Sequence, residues 1–136
     1  MANALYDHGR ENFLNGNVDW TNDDIKVTLV DSADYSRDLA NDDFYDDVTV
    51  AGREAVSSAF TTKTTTAGVA DADDVTFSTV SGDQCEYLVL WMDDGVAETS
   101  SPLIACIDTA TGLPVTPNGG DITVTWDSGA NKIFKL

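Results

Sequence analysis

Short apolar alternations, each closed by a cluster of turn-forming residues, recur along most of this chain and restrict its fold more than any other feature. In Ile25-Lys26-Val27-Thr28-Leu29-Val30, the side chains of Ile25, Val27 and Leu29 fall on one side of an extended backbone; Val75-Thr76-Phe77-Ser78 and Ile122-Thr123-Val124-Thr125-Trp126 repeat the pattern. Successive side chains of a strand point to opposite faces, so a period of two predicts one face in a core and the other in solvent. Cys85 to Met92 and Leu103 to Ile107 are apolar on both parities apart from Glu86, as expected of strands covered on both sides. Asp93-Asp94-Gly95 between them is a turn signal, which predicts that the two pair antiparallel.

Weaker strand signals lie at Val48-Thr49-Val50 and Ala55 to Phe60, and Thr61 to Thr66, with five Thr in six residues, reads as an edge strand. Thr111-Gly112-Leu113-Pro114 and Pro117-Asn118-Gly119-Gly120 are further turns. Asp127 to Asn131 turns the chain from Ile122–Trp126 into Lys132-Ile133-Phe134-Lys135-Leu136, which predicts a closing hairpin and a paired C-terminus. The expectation is an all-β domain, an antiparallel β-sandwich or barrel of seven to eight strands. Helices do not alternate with these strands, so a parallel α/β sheet is not expected.

The start of the chain has a different period. Leu5, Gly9 and Phe13 recur every fourth residue, with Tyr6 and Leu14 widening the stripe, so a helix is expected from Asn3 to Gly16, capped by Asn3 and stopped by Gly16. We divide the chain into an N-terminal helical segment or arm, residues 1–20, and a single β domain, residues 21–136. Leu5, Tyr6, Phe13, Leu14 and Trp20 are the candidate interface residues. The polar connection from Asp31 to Asp47 is expected to be pinned to the body by Tyr35, Leu39, Phe44 and Tyr45, because long structureless loops are uncommon in compact domains.

Charge narrows the range of partners. The chain has 136 residues, with 24 Asp and Glu against 7 Lys and Arg, a net charge of −17. That excess repels phosphate backbones and anionic membrane surfaces, so neither nucleic acid nor membrane is an expected partner; a neutral or basic protein surface is. No run reaches the roughly 18 apolar residues of a membrane span. The opening Met1-Ala2-Asn3-Ala4-Leu5-Tyr6-Asp7-His8 lacks the basic start and apolar middle of a signal peptide, so synthesis in a cytoplasm is expected. Cys85 and Cys106 are then expected to be reduced, small members of the core.

Catalytic chemistry is poorly provided for. His8 is the only imidazole and lies on the predicted helix, where a solvated position is expected. Asp23-Asp24, Asp42-Asp43, Asp46-Asp47, Asp73-Asp74 and Asp93-Asp94 are paired carboxylates, but they sit among loop residues rather than in an apolar cleft that would separate their pKa values. The densest groups, Asn41 to Asp47 and Asp71 to Asp74, lack the EF-hand order, so surface charge is the expected role and no metal or other cofactor is assigned. Gly119-Gly120 precedes a strand, not a helix, and forms no phosphate cradle. No enzymatic activity is expected.

Several segments carry a resemblance: Ala4-Leu5-Tyr6-Asp7-His8-Gly9-Arg10-Glu11-Asn12-Phe13-Leu14, Asp19-Trp20, Asp24 to Asp31, Val69 to Phe77, Ile107 to Val115 and Gly119 to Trp126. In these, covering most of the chain, the sequence resembles small structural proteins of tailed phages and prophages, nearest to capsid decoration, or cement, proteins. The matching motifs are structural and carry no chemistry. The resemblance implies a homo-oligomer, often a trimer, bound to a shell of major capsid protein on the outer capsid surface of the virion, after synthesis in the bacterial host cytoplasm. A tail or neck component is the alternative within that resemblance, and a carbohydrate-binding β-sandwich the alternative outside it.

Overall fold

A computed structural model describes residues 3–136. In chain order its elements are β1 (Ala4–Leu5), α1 (Asp7–Asn15), β2 (Asp24–Val30), β3 (Arg53–Val56), β4 (Val69–Ala70), β5 (Val75–Phe77), β6 (Tyr87–Asp93), β7 (Leu103–Ile107), β8 (Ile122–Val124) and β9 (Phe134–Lys135). The fold is all-β apart from α1 and a few short 3-10 turns. Its nine strands among the described residues, against the seven or eight expected, form a five-stranded antiparallel sheet in the order β1-β7-β6-β2-β3 and two ribbons, β4-β9 and β5-β8. No barrel closes among the described residues, so the architecture is that of a sandwich.

The large sheet follows the sequence pattern closely. β2 and β6 run antiparallel over seven residue pairs, from Asp24 opposite Asp93 to Val30 opposite Tyr87. Ile25, Val27 and Leu29 of β2, with Leu88 and Leu90 of β6, point to one face, where they meet Val75, Phe77, Ala70 and Trp126 beneath the ribbons. Val30, Val89 and Trp91 point to the other face, which the connection from Asp31 to Gly52 covers with Tyr35, Tyr45 and Val48. β7 pairs with β6 as expected, but the register shifts beside Leu90 and Trp91. The extra residue of this bulge puts Ile104 and Ala105 on the same face, while Leu103 and Cys106 face the other. Both cysteines are buried and free, in agreement with the expectation.

Four local expectations are corrected. The helix begins at Asp7, not Asn3: Ala4 and Leu5 pair with Cys106 and Ala105, and the Asn3 side chain bonds the backbone of Asp108 and Thr109 instead of capping a helix. Gly16 does end the helix, in the left-handed conformation that favours glycine. Val48-Thr49-Val50 is not a strand: Val48 and Thr49 link two 3-10 turns, and Val50 opens the second. The Thr61–Thr66 run makes only a single bridge, Thr64 to Asp71; Thr62 has a positive φ of 54°, and the Thr61 and Thr62 hydroxyls are drawn to Asp73.

The closing hairpin is the fourth. β8 pairs with β5, while β9 pairs with β4. Phe134 explains the choice: its ring sits 5.3 Å from Trp20 and 5.9 Å from Phe13, an aromatic cluster that a β8–β9 hairpin does not offer.

Residues 3–20 are built into this body. β1 is an edge of the large sheet, and Tyr6, Val18 and Trp20 are core residues. Gly9 brings α1 against β7 so closely that a Cβ there would lie 2.7 Å from the Ile104 carbonyl oxygen. That close approach accounts for a glycine inside a helix, where it otherwise costs about 1 kcal/mol relative to alanine.

Candidate docking site

The five candidate interface residues divide in space. Tyr6 turns into the loop-covered face of the sheet, where its hydroxyl lies 2.8 Å from that of Tyr35. Leu5 is half-buried against the opposite core. Phe13 and Trp20 both pack on Phe134 and line with it a cleft of about 320 Å³, together with Val18, Val69 and Leu136. Leu14, the next residue of α1, is 87% exposed and lies outside the cleft lining, and Leu136 at the cleft is 61% exposed. Trp20 is fixed there by its indole N–H, which donates to the Asp71 carbonyl at 3.2 Å, and by edge contacts to Phe60 and Phe134. The sequence marked the N-terminal half of this cleft; the C-terminal half, Phe134 and Leu136, was missed because nothing local predicts that β9 crosses to β4.

Asp19 is the charged residue in the lining. Donation from the Asn22 and Thr21 side chains, then from their backbone amides, holds its carboxyl at about 2. The rim therefore keeps a fixed negative charge beside an apolar floor, which suits an apolar side chain flanked by a cation.

A larger groove of about 870 Å³ opens on the same side of the sheet, between β8 and the segment Thr109 to Val115. Leu29, Leu88 and Trp126 lie at its base; Ile107, Leu113, Val115, Ile122, Val124 and Ile133 line it and are only half-buried.

The groups considered for chemistry lie elsewhere and apart. His8 stacks edge-on against Phe44 at 4.8 Å, with its Nδ1 3.8 Å from Glu11. Burial pushes the Cys85 thiol up to about 12 and the Cys106 thiol up to about 11, so both stay protonated at neutral pH and are poor nucleophiles. The loop carboxylates accept from backbone amides, most of them from their own loops. Asp47 accepts from the amides of Asp43 and Phe44; Asp38 accepts from those of Ala40 and Asn41; Asp74 accepts from that of Trp126. Neither of the two densest acidic runs gathers three carboxylates at one point among the described residues. Asp31, Asp34 and Asp83 do, with oxygens within 4.8 Å of one another, a grouping invisible in sequence because Asp83 comes from a distant turn; exposed acids gather in this way without an ion as well.

Electrostatically the molecule pairs five of its seven basic side chains with its own carboxylates. Arg10 pairs with Asp7, Lys26 with Asp93, Arg37 with Asp108, Arg53 with Glu98 and Lys132 with Asp71. Lys63 bonds the carbonyl of Asp23. What remains facing solvent is an excess of carboxylate. No protein-family model matches this sequence, and no curated protein matches it.

Proposed function

We propose that this chain is a structural protein of a tailed-phage or prophage virion, and that it acts as a capsid decoration, or cement, subunit bound to the outer face of an assembled shell of major capsid protein. The observation that carries the reading is the character of the surface: five of the seven basic side chains are held in ion pairs, the carboxylate excess faces outward, and two apolar-lined clefts open on one side of the β body. A decoration subunit must stay dispersed when free and crowd on a particle without aggregating, and a net charge of −17 serves both needs. The same charge speeds encounter with a basic surface, while clefts such as that of Phe13, Trp20 and Phe134 supply the desolvated anchor points on which affinity depends. Self-association, as a trimer on the shell, belongs to the proposal.

A carbohydrate-binding module would draw support from exposed aromatic platforms; Trp20, Trp91 and Trp126 are all buried. The test is to add purified protein to assembled, undecorated shells and image the particles by electron microscopy. Many ordered copies on the shell surface are expected. Density confined to tail or neck would assign the protein there instead, and bare shells at saturating protein would reject the cement role.

A further inference from the structure

The layer facing the large sheet is divided into two separate ribbons, β4-β9 and β5-β8. Among the described residues β8 pairs with β5 on one side and with no strand on the other. In an antiparallel ribbon alternate residues direct both backbone groups away from the partner, so the free edge of β8 presents N–H and C=O groups toward the groove. Side-chain packing stops at the same line. Ile122 and Val124 take the inward parity of β8 and Thr123 and Thr125 the outward one, yet the two inward residues are only half-buried. Across the groove Ile107, Leu113 and Val115 are half-buried too, while Leu29 and Leu88 of the large sheet form the floor. A gap with an unpaired strand edge along one wall and apolar residues below matches the space of an added strand in shape and chemistry.

We propose that the groove beside β8 receives an extended segment of a partner protein as an additional strand, with aliphatic residues directed inward and Lys or Arg between them directed outward. The inward residues would complete the burial of Val124, Ile122 and Leu113. The outward cations answer Asp127, the carboxylate in the groove lining, within a chain of net charge −17, and the cation in the lining, Lys132, is already set against Asp71 at 4.0 Å. A second copy of this chain is poorly suited as donor, because five of its seven basic side chains are held in ion pairs. Main-chain bonds along a sheet edge supply affinity in this mode of recognition, and alternate side chains supply specificity. The proposal stands independently of the virion role, since it concerns the chemistry of the segment and not the particle that carries it.

The test titrates the intact, isotope-labelled protein with a blocked heptapeptide of alternating lysine and valine, followed by amide chemical shifts and hydrogen exchange. Two comparison peptides are used, one with glutamate in place of lysine and one with the valines contiguous. Saturable shifts confined to Thr109–Val115 and Ile122–Trp126, with slowed exchange of a β8 amide, are the expected result. The lysine peptide should bind about tenfold or more tightly than either comparison peptide, and Val124→Lys or, separately, Leu113→Arg should weaken it by at least about tenfold. Two variants on opposite walls guard against one of them misfolding. No saturation at millimolar peptide, equal binding of the glutamate peptide, shifts centred on the Phe13–Phe134 cleft, or self-association that occupies the groove would each overturn the proposal.

Discussion

The two faces of the large sheet are built from the same strands and are finished in different ways. On the face covered by residues 31–52, an irregular connection is sealed by polar bonds between aromatic groups. The Tyr6 and Tyr35 hydroxyls lie 2.8 Å apart and Tyr35 donates to Asp42 at 2.6 Å. Trp91 donates to Thr28 at 3.0 Å and stacks on Tyr45 at 3.8 Å, with the Arg53 guanidinium 4.0 Å over the other side of that ring. On the opposite face, two ribbons of two and three residue pairs do the covering, and both clefts lie among them. A buried hydroxyl must find a partner, so the first face closes as a network; the second relies on apolar contact and leaves some of it unfinished. The polar network is concentrated on one side and the open clefts on the other.

That contrast can be broken in a graded way. The largest effect is expected from Trp91→Ala, which empties a stacked and hydrogen-bonded site and should cost about 3–5 kcal/mol in chemical denaturation. A paired truncation sharpens the comparison: Leu103→Ala, fully buried toward the sealed face, should cost about 2–5 kcal/mol, whereas Leu113→Ala in the open groove should cost less than about 1 kcal/mol. Equal losses would erase the distinction. Gly9→Ala should cost about 1–3 kcal/mol, because the added methyl meets the carbonyls of Leu103 and Ile104 and forces α1 off β7. Tyr6→Phe, which removes one hydroxyl from the network, should cost about 1 kcal/mol, and the loss should appear as faster amide exchange in residues 31–52 before it appears in the ribbons.

The smallest effects are pH-dependent and differ in sign. Desolvation raises the Asp42 carboxyl above its ordinary value; its contribution is therefore fully present at low pH and is lost as pH rises through that raised value. Bonds from Ser100, then from the Val96 amide, lower the Asp94 carboxyl to about 2; its contribution is present above the ordinary carboxylate range and is lost as pH falls toward 2. At neutral pH, Asp42→Asn should therefore be neutral or slightly stabilising, and Asp94→Asn slightly destabilising with a flatter acid limb. Thermal melts from pH 2 to 7 would measure both, and matching signs would contradict this account.

Legibility in the sequence followed the range of the interactions involved. β2, β6 and β7 were visible as alternating or continuous apolar runs, because burial on one or both faces imposes that pattern residue by residue. Tyr35 and Tyr45 announced that the long connection is pinned, though not by which bonds. Gly9, on the stripe that predicts the helix, proved to be what lets the helix touch the sheet. Of the candidate site, Phe13 was legible from the helical period and Trp20 from the preference of indoles for cores and interfaces. Phe134 and Leu136 were not, since a turn between two alternating runs normally signals a hairpin.

By itself, the sequence determined the class of fold, the excess of outward carboxylate and the antiparallel partnership of the two most apolar strands, because these depend on local periodicity and composition. Tertiary structure decided the rest. Phe134 gains more from Phe13 and Trp20 than β9 would gain beside β8, so the expected hairpin gives way to two separate ribbons. The open strand edge and both clefts follow from that single competition, which is settled by contacts between residues more than a hundred positions apart.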